Sequence, residues 1–167
     1  MARAHPTMAV RPFLPADAPI VAEIFRASIE ELTSDDYSTS QQQAWAAKAD
    51  DEEEFAAHLA GQLTLLGTID GSPVAFASLK DNEQIEMLYV HPAVARQGLG
   101  SMLVDALEKL AAARGAAQLR AEVSDTAHDF FQRRGFVAQQ RNSVPLGGEW
   151  LANTTMEKKL SAKAGAK

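Results

Sequence analysis

The sequence contains no cysteine. Disulfides, thiolate metal sites and cysteine nucleophiles are excluded together, and the chain suits a reducing compartment, the cytoplasm by default. No apolar run approaches the roughly 20 residues of a membrane span. Met1 to Met8 carries Arg3 without the apolar stretch of a secretory signal. No membrane partner is therefore expected. Basic charge is in deficit: 16 lysines and arginines face 22 acidic residues, a formal net charge of −6. That balance argues against a nucleic-acid surface, which depends on basic patches. The one basic cluster is C-terminal, at Lys158, Lys159, Lys163 and Lys167, and reads as a frayed tail rather than a nucleic-acid arm. His5, His58, His91 and His128 lack ligand spacing such as His-Glu-x-x-His, so no metal is expected. No Gly-x-Ser-x-Gly nucleophile elbow occurs either.

What the chain does have is 167 residues, 46% of them hydrophobic. That is enough for one domain with a proper core, residues 1–167, with 1–8 and 161–167 expected to fray. Its most informative stretch runs from Gln84 to Leu110. Residues 84–90 are long, apolar or aromatic and read as a strand, which Pro92 closes because it has no N–H to donate. After a loop holding Gly98 and Gly100, apolar residues fall at Leu99, Met102, Leu103, Ala106, Leu107 and Leu110. This is the spacing of one buried helix face, and Gly115 supplies its stop.

The first turn of a helix leaves N–H groups unpaired and carries the positive end of the helix dipole. Glycines there allow a phosphate to approach the backbone, although a plain tight turn would use the same residues. No Lys-Ser/Thr follows the second glycine, which excludes the phosphate-loop NTPase pattern. Leu103 stands where a dinucleotide fingerprint needs its third glycine.

The rest of the chain surrounds this stretch. A short strand is predicted at residues 9–14, then a helix over 18–32 with Asp17 as its cap, a second helix from about Ser40 through Trp45, and a third over 51–59. The acidic run 50–54 at the start of the third suits the helix dipole. Residues 63–69 and 73–79 read as a hairpin joined by Asp70-Gly71-Ser72, and with 84–90 they make an antiparallel meander. The alternation at 117–123 predicts a strand parallel to 84–90 through a crossover, followed by a helix capped by Ser124, Asp125 or Thr126 and ended by Gly135. Two last strands, 136–144 and 150–156, flank the turn Pro145-Leu146-Gly147-Gly148.

Two segments carry a family resemblance: Leu88-Tyr89-Val90-His91-Pro92 with Arg96-Gln97-Gly98-Leu99-Gly100-Ser101 and the helix after it, and Ala127-His128-Asp129-Phe130-Phe131-Gln132-Arg133-Arg134-Gly135-Phe136. Together they resemble the GNAT superfamily of acetyl-coenzyme A dependent N-acetyltransferases, over roughly residues 10–160. Ser34-Asp35-Asp36-Tyr37-Ser38 followed by Trp45 is similar to a bacterial branch of uncharacterised acetyltransferases. The resemblance implies an α/β (α+β) fold. Its sheet would be mixed and mostly antiparallel, of about seven strands with a central parallel pair, flanked by helices. It also implies that strands 84–90 and 117–123 splay at their carboxyl ends. The pantetheine arm of acetyl-CoA would lie in the gap along Leu88, Tyr89 and Val90, near Ser124 and Phe131. The pyrophosphate would sit on the N–H groups of Arg96, Gln97, Gly98, Leu99, Gly100 and Ser101. Arg96 can add a charge contact or face solvent. The family usually has Gln or Arg where this chain has Ala95.

An alkyl ammonium of pKa about 10.4 is neutral only about once in a thousand molecules at pH 7, so a base must take its proton. Simple alternation puts Glu86, Leu88 and Val90 on one strand face and Ile85, Met87 and Tyr89 on the other. Glu86 is the only ionisable side chain in mid-strand and the first choice for general base; a structural ion pair is the other reading of it. The tyrosine that the family commonly uses to protonate the departing thiolate is replaced by Phe131. Water can suffice, with His128 and Tyr37 as substitutes. The oxyanion would be met by a backbone N–H near Leu88. By resemblance, the acceptor contacts fall on Tyr37, Trp45, Trp150 and Asn153. The implied activity is direct transfer of an acetyl group to a primary amine of a small molecule. The alternatives are a protein or peptide acceptor, and a non-catalytic acetyl-CoA-binding sensor module. The state could be monomer or homodimer.

Overall fold

The structure, a computed structural model, describes residues 6–160. The tails expected at 1–8 and 161–167 lie mostly outside that range. Thr7 and Met8 lie within it and are tied down. Thr7 donates its N–H to Asp70 Oδ1 at 2.9 Å and accepts the Asp70 N–H at 2.8 Å, while Met8 opens the first strand. The elements are β1 (Met8–Pro12), α1 (Ala18–Leu32), α2 (Thr39–Ala46), α3 (Glu52–Ala60), β2 (Leu63–Ile69), β3 (Ser72–Lys80), β4 (Gln84–Val90), α4 (Leu99–Ala113), β5 (Gln118–Ser124), α5 (His128–Arg133), β6 (Val137–Leu146) and β7 (Glu149–Lys159). No helix among the described residues is long and apolar enough to cross a membrane.

Local chemistry fixes the helix starts, with one correction. Asp17 does not cap α1: its carboxylate accepts the Leu14 N–H at 2.8 Å and pairs with the Arg11 guanidinium at 2.9 Å, closing the 3-10 turn that precedes the helix. Ser38 and Gln41 form a reciprocal capping box at α2, with Gln41 N–H to Ser38 Oγ at 3.1 Å and Ser38 N–H to Gln41 Oε1 at 2.8 Å. Asp51 caps α3 through the Glu54 N–H at 3.0 Å, and Glu52, Glu53 and Glu54 fill its dipole-matched first turn.

The seven strands form one mixed sheet in the order β1-β2-β3-β4-β5-β7-β6, antiparallel everywhere except at β4-β5. Helix α4 packs on one face through Leu99, Leu103 and Leu107, all essentially without exposure. Gly67 on β2 makes room for it, because a Cβ there would lie 3.3 Å from Leu99. The other face carries α1, α2 and α3 over an aromatic core of Phe25, Phe55, Phe76 and Tyr89.

The parallel pair is short. Only Gln84 with Arg120 and Ile85 with Ala121 are in register, whereas β5 is paired to β7 along its whole length. The sheet is thus two ribbons, β1–β4 and β5–β7, joined at a narrow neck and open beyond it. An aromatic strap crosses the opening. Trp45 Nε1–H donates to the Tyr89 hydroxyl of β4 at 3.1 Å, Trp45 meets Tyr37 edge-on at 5.3 Å, and Tyr37 bonds the far ribbon. There its hydroxyl donates to Ala152 C=O at 2.6 Å and accepts the Asp125 N–H at 2.9 Å.

Two stability outcomes follow. Leu103→Ala should lose about 2–5 kcal/mol in urea unfolding, the cost of a cavity under α4. Tyr37→Phe keeps the ring but orphans two backbone groups, and should cost about 1–3 kcal/mol with an unchanged circular dichroism spectrum.

Candidate active site

Glu86 owes its direction to a β-bulge. Ser78 pairs with Met87 and Leu79 with Ile85, so Glu86 is an extra residue in β4 with no partner on β3. Simple alternation therefore fails at this point. Ile85, Leu88 and Val90 face the α4 core, Met87 and Tyr89 face the α1 core, and Glu86 turns toward α3 with the second set. The expected grouping of Glu86 with Leu88 and Val90 is overturned by that one inserted residue.

On this face Glu86 Oε1 lies 2.8 Å from His58 Nε2 and also accepts a hydrogen bond from Gln62 Nε2. Burial pushes the carboxyl up. The hydrogen bonds from Gln62 and His58, with the charges of His58 and Lys80, outweigh it and hold Glu86 below the ordinary carboxylate value. Glu86, Leu88, Glu122, Ser124, Trp45 and Phe131 line the space where β4 and β5 part.

This space lies beside a cleft of about 720 Å³. Leu88, Tyr89 and Val90 form one wall, Ser124, Ala127 and Phe130 the other, and Arg96, Gly98, Leu99, Gly100 and Ser101 its end. The loop there is unusual: Arg96 has φ 66° and Gly98 φ 94°, left-handed backbone that costs a non-glycine residue about 1 kcal/mol or more. The first helical bond runs from the Met102 N–H to Gly98 C=O at 3.0 Å. The N–H groups of residues 96–101 have no protein acceptor among the described residues. With the helix dipole they make that end of the cleft an anion receptor, and Arg96, Arg133 and Asp129 are the charged residues on the cleft lining.

Several expected site residues lie elsewhere. Gln97 is absent from the lining, although its N–H belongs to the free set. Phe131 is buried and lines the gap, while its neighbour Phe130 lines the cleft and stands 3.4 Å from where a Cβ on Gly100 would be. His128 begins α5 outside both linings. The Tyr37 hydroxyl is committed to the strap, and burial pushes its pKa up. Trp45 lines cleft and gap, but Trp150 is 62% exposed at the β6-β7 turn and lines neither. Asn153 accepts from Asn142 Nδ2 at 2.9 Å in a polar ladder with Thr155 and Glu122. Sequence reasoning missed His58, in the last turn of α3, and Gln62, just past its Gly61 cap, and it missed Arg133. Among the described residues no group of three or more His, Cys, Asp or Glu could hold a metal ion.

Comparison with known proteins agrees with this geometry. Residues 33–160 match the family described as an acetyltransferase (GNAT) domain. The uncharacterized N-acetyltransferase YafP of Escherichia coli K12 is 31% identical over 150 residues, covering 90% of this chain and 95% of that protein. A crystal structure of a GCN5-related N-acetyltransferase from Rhodopseudomonas palustris, also called an aminotransferase, class-II, is 59% identical. It superposes with TM-score 0.90 over 96% of this chain and 99% of that one. The PaiA N-acetyltransferase of Thermoplasma acidophilum, solved with coenzyme A, shares the fold at 19% identity, with TM-score 0.76 over 92% of this chain and 99% of that one. A parted parallel pair, a free N–H cradle at the head of the following helix, and these matches lead to one conclusion: the chain belongs to the GNAT family of acetyltransferases and is an acyltransferase.

Proposed function

We propose that the protein moves the acetyl group of acetyl-CoA directly to a primary amine of a small molecule, with Glu86 as general base. One observation carries this reading: a half-buried, ionised carboxylate stands over the gap between β4 and β5, and the gap opens into a cleft that ends in unpaired N–H groups. The pyrophosphate of acetyl-CoA sits on the N–H groups of 96–101 with Arg96 beside it, and the pantetheine lies along the unpaired edge of Leu88 to Val90, against Ser124. The acetyl group then reaches the neck of the gap, next to Glu86.

The acceptor arrives as an ammonium. As Glu86 takes one proton, directly or through a water, the nitrogen lone pair attacks the thioester carbonyl. The C–N bond forms and the C=O pair moves onto oxygen, where a free backbone N–H near Leu88 meets it. Collapse breaks the C–S bond, the coenzyme A thiolate leaves, and the second nitrogen proton passes to water. With Phe131 in the family tyrosine's place and Tyr37 committed, water protonates the thiolate, whose parent pKa of about 8.5 makes it a fair leaving group. Trp45 offers the acceptor an apolar edge and Glu122 with Asn153 a polar one.

The test is thiol release from acetyl-CoA with phenethylamine, spermidine, kanamycin and an alanine-starting peptide as acceptors. One small amine should turn over, and Glu86→Gln should lower its kcat by about 100-fold while coenzyme A affinity holds. Because its pKa is held below the ordinary carboxylate value, Glu86 should add no limb of its own in the neutral range, and kcat/KM should climb with pH as the free amine deprotonates. Gly98→Ala should weaken coenzyme A binding about tenfold in calorimetry, since the cradle needs left-handed backbone there. Transfer to the peptide alone would replace the small-molecule reading. Tight coenzyme A binding without turnover would replace it with the sensor.

A further inference from the structure

Glu86 is gripped unevenly. Both side-chain hydrogen bonds it receives, from His58 Nε2 and Gln62 Nε2, fall on Oε1, and Oε2 has no protein donor among the described residues. A carboxylate free to rotate would present either oxygen to the gap. This one is fixed by two donors, His58 from the last turn of α3 and Gln62 from just past its Gly61 cap. The Gln62 amide is oriented by the same contact: its nitrogen must face the carboxylate, and its Oε1 is left buried with no partner. An orphaned buried oxygen is destabilising, so the arrangement is not one that stability alone would select. His58 also reaches water, with 46% of its side chain exposed.

We propose that His58 and Gln62 are positioning residues that clamp Oε1 of Glu86, leave Oε2 as the oxygen that takes the amine proton, and let the charge of His58 set how strong a base that oxygen is. This rests on the reading of Glu86 as the base. Neutral His58 donates from Nε2 and orients the carboxylate. Imidazolium adds a positive charge 2.8 Å away and makes Glu86 a weaker proton acceptor. The other charged groups around Glu86 are Lys80 from β3, Lys48 after α2, whose pKa burial lowers, and Glu122 of β5 on the lining of the same gap. The low resting pKa of Glu86 agrees with a clamp of two donors.

The test compares His58→Ala, His58→Gln and Gln62→Leu with the wild type and Glu86→Gln, using the fastest acceptor of the panel above. His58→Ala should lower kcat about tenfold with KM for acetyl-CoA unchanged, and His58→Gln, which keeps an N–H donor, should recover to within about threefold. The ratio of His58→Gln to wild-type kcat should rise by about fivefold or more as pH falls from about 8 to 6, since glutamine gains no charge. The ionisation of the amine is common to both proteins and cancels in that ratio. A packing role for His58 would leave the ratio flat. A flat ratio, or a His58→Gln protein no faster than His58→Ala, overturns the clamp. Gln62→Leu should lose kcat without altering the ratio's rise. If Glu86→Gln itself keeps the wild-type rate, the base assignment fails and the clamp falls with it. If Glu86→Gln is inactive while the His58 variants behave as wild type, only the clamp fails.

Discussion

The structure depends on a parallel contact that is only two residue pairs long. Gln84 with Arg120 and Ile85 with Ala121 hold the two ribbons together, and beyond them β4 and β5 are no longer paired with each other. Unpaired strand edges inside a protein are costly unless something bonds to them. Here each strand is secured on its other side, β4 by β3 and β5 by β7, so the opening can persist without unravelling either ribbon. The strap of Tyr89, Trp45 and Tyr37 fixes its width from above. Pinned at the neck and braced by buried aromatic groups, the gap is preorganised, which suits a ligand that binds by adding its own polar backbone to the exposed edge.

Much of this could be read from the residues. The span of α1, the bounds of β2 and β4, and the α4 face of Leu99, Leu103 and Leu107 follow from period alone, because each is long enough for the repeat to show. The glycine loop was legible for the same reason: Gly98 adopts the φ that only glycine takes easily. The bulge was not legible. Gln84 to Val90 reads as ordinary alternation, and one inserted residue reverses the faces of everything after it without leaving a mark in composition. His58 was invisible for a different reason. Its partner is 28 positions away, and the contact exists only because α3 ends over the bulge.

Motif positions also proved less informative than burial. Phe130 and Phe131 are adjacent, yet the first lines the cleft and the second packs at 5.1 Å on Phe136 and lines only the gap. Trp45 and Trp150 looked equivalent as aromatic residues near loops. One is buried at the centre of the strap, and the other sits on the solvent side of a hairpin. Tyr37 looked like a free acid, but its hydroxyl is a structural joint with both of its bonds occupied. Side-chain orientation on a short helix or hairpin is decided by what the sheet places against it, and local sequence does not contain that information.

The charges around the opening divide in a way that a net value of −6 hides. Arg96 and Arg133, with Asp129 as the one acid, line the cleft at the helix head, while Glu86 and Glu122 line the gap. An anionic cofactor and a cationic amine would thus be drawn to opposite ends of one continuous space, each repelled from the other's seat. The clamp on Glu86 sharpens that division. Hydrogen bonds that keep a carboxylate ionised make it a better electrostatic anchor for an ammonium and a weaker base toward it, so the same two donors set binding against proton transfer. A carboxylate held by one donor that can change its charge, with the gap-facing oxygen left free, occupies the middle of that range.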